Sequence, residues 1–222
     1  MDHSRVKDRQ SMMPKRIVSM ALQIGSSFHH PLNIDKKLLV ITHLGKHIIE
    51  EFNINRHELE YKNFNHYQEE TIKKTGQGQS IDMEQYDAAP DCDGSGWCLA
   101  PLIYNGNDYT RNSNHMPKTT KILNHIGHTS YTGIAVLYPE YGLDWHYDDD
   151  QFIGHDLCQF RVFYTLDDGG GGAYIEVEET EKKIVKRYFR EREYVCFHSK
   201  KRHRVWNEGI LPRYCLVIDV LK

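Results

Sequence analysis

Between residues 132 and 220 the chain breaks into eight short runs rich in β-branched and aromatic residues, with no helical period between them. The runs are 132–138, 143–147, 159–166, 173–178, 183–189, 194–197, 204–206 and 214–220. Turn signals separate them, at Pro139-Glu140-Tyr141-Gly142, at 167–172, at Asn207-Glu208-Gly209 and at Pro212. A series of strands without intervening helices reads as an antiparallel sandwich or barrel of the jelly-roll kind. The tetraglycine at 169–172 has no helix after it to cradle a phosphate, and reads as a hairpin tip or lid.

Upstream, Leu38, Leu39, Ile41, Leu44, Ile48, Ile49 and Phe52 recur at three- and four-residue steps, the stripe of an amphipathic helix over 35–52. A second helix is expected over 119–126, just beyond Pro117. Residues 1–15 are polar and basic without a period and read as a loose tail, and the turn residues Pro90, Asp91, Asp93, Gly94 and Gly96 mark a boundary. The expected organisation is a tail and helical subdomain over 1–95 and a mainly β core over 96–222. At 222 residues the chain is long enough to bury a core without disulfide staples.

Composition excludes several classes of function. Apolar runs such as 134–137 and 215–218 are far too short to cross a bilayer. A net charge of −3 gives no global attraction to nucleic acid or anionic lipid. Five cysteines, an odd number with no C-x-x-C, argue against a disulfide framework and a zinc ribbon, and so for a reducing, cytoplasmic setting. Lys15-Arg16 before 17–24 has only the outline of a signal peptide, since the apolar stretch is short and polar. Charge along the core is polarised: 140–179 holds one basic residue, Arg161, whereas 182–204 is mainly basic. Cross-strand pairing, for example of Glu176 and Glu178 with Lys183 and Lys186, accounts for this, the alternative being a basic face for an acidic peptide or nucleic acid.

Of the fourteen histidines only His146 has an aspartate two places on, Asp148. About one such pair is expected by chance in a chain of this composition, so position carries the weight. On a strand, residues i and i+2 share a face, and a pair at a strand end points both side chains into the barrel mouth. His203, near the start of a late strand, is the natural third ligand. Two histidines and a carboxylate on one face of a metal leave three sites open, the arrangement of non-haem iron(II) oxygenases, whereas a structural zinc site is closed. The bland alternative is a solvated loop at 148–150 and a surface histidine. Arg213 follows His203 by ten residues, placed to hold a dicarboxylate's far end. Arg161, set among Phe160, Val162 and Phe163, needs an anion, either a bound one or an internal partner such as Asp156 or Glu176. His155 and His198 are competing ligand candidates.

The stretch His203-Arg204-Val205-Trp206-Asn207 with Arg213, together with His146 and Gln159-Phe160-Arg161-Val162, resembles the aspartyl/asparaginyl beta-hydroxylase family of 2-oxoglutarate-dependent oxygenases. Gly96-Trp97, Leu102, Gly106 and the run from Pro117 through Leu123 fit the same resemblance, which covers roughly 96–222. It implies a double-stranded beta-helix core, iron(II), 2-oxoglutarate and O2, and an amino-acid, peptide or protein substrate. His146, Asp148 and His203 would then bind iron, Arg213 the distal carboxylate of 2-oxoglutarate, and Arg161 its second carboxylate or the substrate. Nucleobase dealkylases share the H-x-D…H pattern but carry their arginines farther on, so nucleic acid is not favoured. Vertebrate members have glycine where Asp148 stands, and the family often has histidine where Phe163 stands. An insertion after Asp148 includes Asp149, Asp150 and His155.

Overall fold

The computed structural model describes residues 32–221 except 76, 79–82, 105, 127–128, 149–157 and 199. The elements in order are α1 (Leu32–Asn55), β1 (Lys62–Asn63), α2 (Asn65–Thr75), β2 (Gln77–Gly78), α3 (Met83–Ala88), β3 (Trp97–Tyr104), β4 (Asn107–Asp108), α4 (Thr110–Ser113) and α5 (Pro117–Ile126). There follow β5 (Thr129–Leu137), β6 (Tyr141–Asp148), β7 (Cys158–Asp167), β8 (Ala173–Thr180), β9 (Lys183–Tyr188), β10 (Tyr194–His198), β11 (His203–Asn207) and β12 (Arg213–Leu221). One sheet runs β1-β3-β5-β12-β7-β10, with β4 beside β3, and the other β2-β6-β11-β8-β9. From β5 onward the chain passes repeatedly from one sheet to the other, the winding of a double-stranded beta-helix. Each of the eight expected runs falls within one of the strands β5 to β12, give or take a residue at the end.

Side-chain parity builds the layers. Leu216, Ile218 and Val220 of β12 and Val162, Tyr164 and Leu166 of β7 pack against Ile41, Ile48 and Phe52 of α1 and Leu123 and Ile126 of α5. The alternate residues Cys215, Val217 and Phe163 face the other way and join Leu143, Ile175, Val177 and Val205 between the sheets. This is why β12 is apolar on both faces. The same parity sets Arg213 and Asp219 of β12, and Arg161 and Thr165 of β7, on the inner face.

Although α1 precedes residue 95, it shares this core with the β strands. At Gly45 the helix approaches Tyr164 so closely that a Cβ would overlap the ring. From α1, buried Glu51 reaches across to the start of α5, accepting hydrogen bonds from the backbone N–H of Lys118 (2.9 Å) and from the N–H and hydroxyl of Thr119 (both 2.7 Å). A carboxylate there satisfies donors that a helix N-terminus leaves open and complements its dipole. Glu51→Ala is expected to destabilise the protein by about 2–4 kcal/mol, the cost of stranding buried donors, with Glu51→Gln intermediate. Urea unfolding with an unchanged slope checks this, and a loss below about 0.5 kcal/mol would remove Glu51 from the account.

One strand was not anticipated, and two expectations need correction. The strand β3, which pairs β5 along its length, was hidden by Pro101. A proline lacks the N–H a ladder requires, and here a register shift between Pro101 and Ile103 accommodates it. The cysteine count predicted no disulfide framework, yet Cys92 and Cys98 are joined, with Cα atoms 6.0 Å apart. The intervening turn allows it, because Gly94 and Gly96 adopt φ of 88° and 72°. An odd count limits how many cysteines pair and does not forbid one pair. The tetraglycine is not a hairpin tip, since it joins β7 in one sheet to β8 in the other. Gly172 lies against Gly209 of the β11–β12 turn with no room for a Cβ between them, so the crossing braces the turn that leads into Arg213. The tail at 1–15 lies outside the described residues. Among those described, no helix is long and apolar enough to cross a membrane.

Candidate metal and cosubstrate site

A β-bulge creates the site. Along β11, His203 and Val205 stand opposite His146 and Leu143 of β6, so the one residue between them, Arg204, faces two of the other strand, Asp144 and Trp145. With Leu143 directed inward, strict alternation would turn His146 out; the extra residue shifts the phase and brings His146 and Asp148 inside. Trp145 is left on the outer side, with the guanidinium carbons of Arg202 and Arg204 5.4 and 5.2 Å from its ring.

His146, Asp148 and His203 offer ligand atoms that all lie within 4.8 Å of one another, the one such cluster found among the described residues. Asp148 oxygens stand 3.8 Å from His146 Nε2 and 3.6 Å from His203 Nε2. Both rings are oriented through their other nitrogen, His146 Nδ1 lying 2.5 Å from the Asp144 carbonyl and His203 Nδ1 2.9 Å from the Lys201 carbonyl. A carbonyl only accepts, so each Nδ1 carries the proton and each Nε2 presents a lone pair inward. Burial pushes His203 down to about 4, which keeps it neutral. Burial also pushes the Asp148 carboxyl up, but the charged Arg161 beside it outweighs this and holds it below the usual carboxylate range. Two imidazole lone pairs and a carboxylate converging in a buried space fit a divalent metal, with the backbone carbonyls as the outer partners that fix the ligand tautomers.

Arg213 is 3% exposed, and its Nε and Nη2 have no hydrogen-bond partner. Its guanidinium lies 3.6 Å from the centre of the Phe189 ring and 5.6 Å from that of Phe163. Phe163 packs on Phe197 at 5.7 Å, and Phe197 on His203 at 4.8 Å, so an apolar wall runs from the guanidinium to the imidazole. Burial pulls Arg213 below the ordinary arginine value, and a guanidinium still remains charged. A buried charge with unfilled donors is a site for an anion. Asn207 shapes the turn before it: its amide donates to the carbonyls of Leu137 and Leu211, and its Oδ1 accepts from Gly209 N–H.

Arg161 does have internal partners, though neither of those anticipated. It lies 2.5 Å from Asp148 and is gripped by Asp219. Asp156 is outside the described residues, and Glu176 pairs instead with Arg204. The register does place Glu176 opposite Lys186, but Lys186 sits 3.4 Å above the Tyr174 ring and Lys183 pairs with Glu179. His198, at the end of β10, packs on Phe160 and accepts from Lys200 N–H, and is not in the cluster; His155 lies outside the described residues. The residue that sequence reasoning missed is Asp219. Its one signal was an acidic side chain interrupting the apolar run Cys215-Leu216-Val217-Ile218, at the parity of Arg213.

A family model described as aspartyl/asparaginyl beta-hydroxylase matches residues 46–222, reaching some fifty residues further upstream than the motifs indicated. The chain belongs to the aspartyl/asparaginyl beta-hydroxylase family. The match takes in the last ten residues of α1 with the whole β core. A search of curated proteins gave no significant match. Similar solved structures include a 2OG-Fe(II) oxygenase family oxidoreductase from Burkholderia pseudomallei, 14% identical, with a TM-score of 0.44 over 55% of this chain and 65% of that one. A prolyl hydroxylase from Trichoplax adhaerens, solved with a hypoxia inducible factor peptide fragment, is 12% identical, with a TM-score of 0.40 over 84% and 92%. A cupin domain from Bordetella pertussis is 13% identical, with a TM-score of 0.34 over 59% and 98%. As a beta-hydroxylase family member the chain is a hydroxylase by class.

Proposed function

We propose that the protein is an iron(II)- and 2-oxoglutarate-dependent dioxygenase that hydroxylates an amino-acid or peptidyl side chain. The observation that carries this reading is the buried cluster of His146, Asp148 and His203 joined by an apolar wall to a guanidinium with unfilled donors. When bound, iron(II) with 2-oxoglutarate and O2 supplies the oxidising chemistry, in which one oxygen atom goes to the substrate C–H bond and the other to succinate, with release of CO2.

The chain's own residues do the rest. His146, Asp148 and His203 would hold the metal through two imidazole nitrogens and a carboxylate. Arg213 takes the distal carboxylate through its free Nε and Nη2, and Phe163 and Phe197 keep water from the space between. Phe163, where relatives often carry histidine, supplies an apolar face to the cosubstrate chain in place of a hydrogen bond. The family description supports a peptide, a protein or a free amino acid as the acceptor of oxygen.

Oxygen-dependent conversion of 2-oxoglutarate to succinate, followed by NMR with iron(II) and ascorbate, tests the reading. The wild type is expected to form succinate, faster in the presence of peptides carrying Asp, Asn or Pro, and His146→Ala to lose the activity. Metal-loaded, folded protein that binds these peptides but consumes no 2-oxoglutarate would instead mark a non-catalytic binding module.

A further inference from the structure

Two carboxylates hold Arg161 from different sides. Its Nε and Nη2 form a fork on Asp219, at 2.7 Å to Oδ1 and 2.8 Å to Oδ2. Its Nη1 lies 2.5 Å from Oδ2 of Asp148. The fork follows from strand register, because Asp219 of β12 stands directly opposite Arg161 of β7 and both point to the inner face. A bidentate guanidinium–carboxylate pair fixes the plane of the arginine, which leaves the third nitrogen a single direction. In this structure that nitrogen meets the carboxylate of the metal cluster as an ion pair, at an angle that leaves Asp148 Oδ2 without a hydrogen bond. Asp148 is the last residue of β6, paired there, among the described residues, with Gly78 of the two-residue strand β2, so the ladder does little to aim its side chain. Asp219 is itself buried, at 4% exposure, and a buried carboxylate is costly unless its partner serves it well. Its charge also leaves this group of three, Asp148, Arg161 and Asp219, one negative charge in excess, which suits a divalent cation.

We propose that Asp219 is a positioning residue of the metal site. Through its fork on Arg161 it aims Asp148 at the two imidazoles and thereby sets the affinity of the cluster for a divalent metal. The inference rests on the reading of His146, Asp148 and His203 as a metal site. It assigns Arg161 to the metal ligand and leaves Arg213 as the arginine of the cosubstrate.

The test is calorimetric titration of the metal-free full chain with cobalt(II), with circular dichroism as the check on folding. Asp219→Asn is expected to weaken cobalt(II) binding by about 10- to 100-fold, the usual effect of losing an outer partner of a ligand. Arg161→Lys, which keeps the charge and loses the fork, should behave alike and serves as the test if Asp219→Asn folds poorly. On an Asp148→Ala background the Asp219→Asn change should cost little further affinity, which a merely structural role would not produce. Wild-type affinity in folded Asp219→Asn, or an equal loss on both backgrounds, would overturn the proposal. Cobalt(II) binding that ignores both His203→Ala and Asp148→Ala would overturn the metal-site reading itself, and this inference with it.

Discussion

Replacing Arg213 by methionine is expected to raise the thermal midpoint of the ligand-free protein while abolishing tight 2-oxoglutarate binding. The two effects have one cause. Between the sheets, among the described residues, the guanidinium has no hydrogen-bond partner for Nε or Nη2, and the Phe163 and Phe189 rings lie against it. An unpaired buried charge destabilises a fold, and apolar replacement of buried ionic groups commonly gains about 1–4 kcal/mol. Methionine is unbranched and polarisable enough to fill the space between two rings. At about 2–4 °C per kcal/mol for a chain of this size, the midpoint should rise by roughly 2–16 °C. The ligand loses a buried charged partner, worth about 2–5 kcal/mol, so its dissociation constant should rise at least about 30-fold. Differential scanning fluorimetry and calorimetry read the two quantities separately. A lowered midpoint with unchanged 2-oxoglutarate affinity would show that Arg213 is a structural residue.

His203→Ala is expected to fold and to lose the response of stability to metal. A ligand that binds only the native state stabilises it by about 2.7 kcal/mol at a hundred times its dissociation constant. For the wild type, manganese(II) at that excess should therefore raise the midpoint by roughly 5–10 °C. His203→Ala should show no rise under the same conditions, since two ligands remain and one of them, Asp148, stands at a strand end. The metal-free protein should be perturbed far less, because among the described residues the imidazole's hydrogen bond is to the Lys201 carbonyl, with Asp148 at 3.6 Å and the rings of Phe197 and His146 packed beside it. An undiminished manganese(II) response in His203→Ala would place the metal elsewhere.

How much of this could be read from the sequence depended on whether the signal was local. Strands β5 to β12 were legible because each is a short run of strand-forming residues closed by its own turn, and α1 because its stripe persists through several turns. Their partners were not. Arg161 was recognised as a charge needing an anion, but its choice of Asp148 and Asp219 depends on β12 lying beside β7, an order no local pattern encodes. The strand β3 was obscured by one proline, and the tetraglycine looked like a hairpin because sheet membership is invisible along a chain. His146, Asp148 and His203 were found by spacing, but their convergence depends on the bulge in β6, which shifts the strand's phase by one residue. Glu51 gave no signal, since its acceptors' partners on α5 lie 67 and 68 residues away.

The most direct test is an anaerobic titration of the purified protein with iron(II) and 2-oxoglutarate, watching for the visible charge-transfer absorption of a metal-bound 2-oxoglutarate. The band should appear and saturate at one equivalent of each, vanish in His146→Ala, and require much more 2-oxoglutarate in Arg213→Ala. A folded, iron-loaded protein that shows no band at any 2-oxoglutarate concentration would contradict the account.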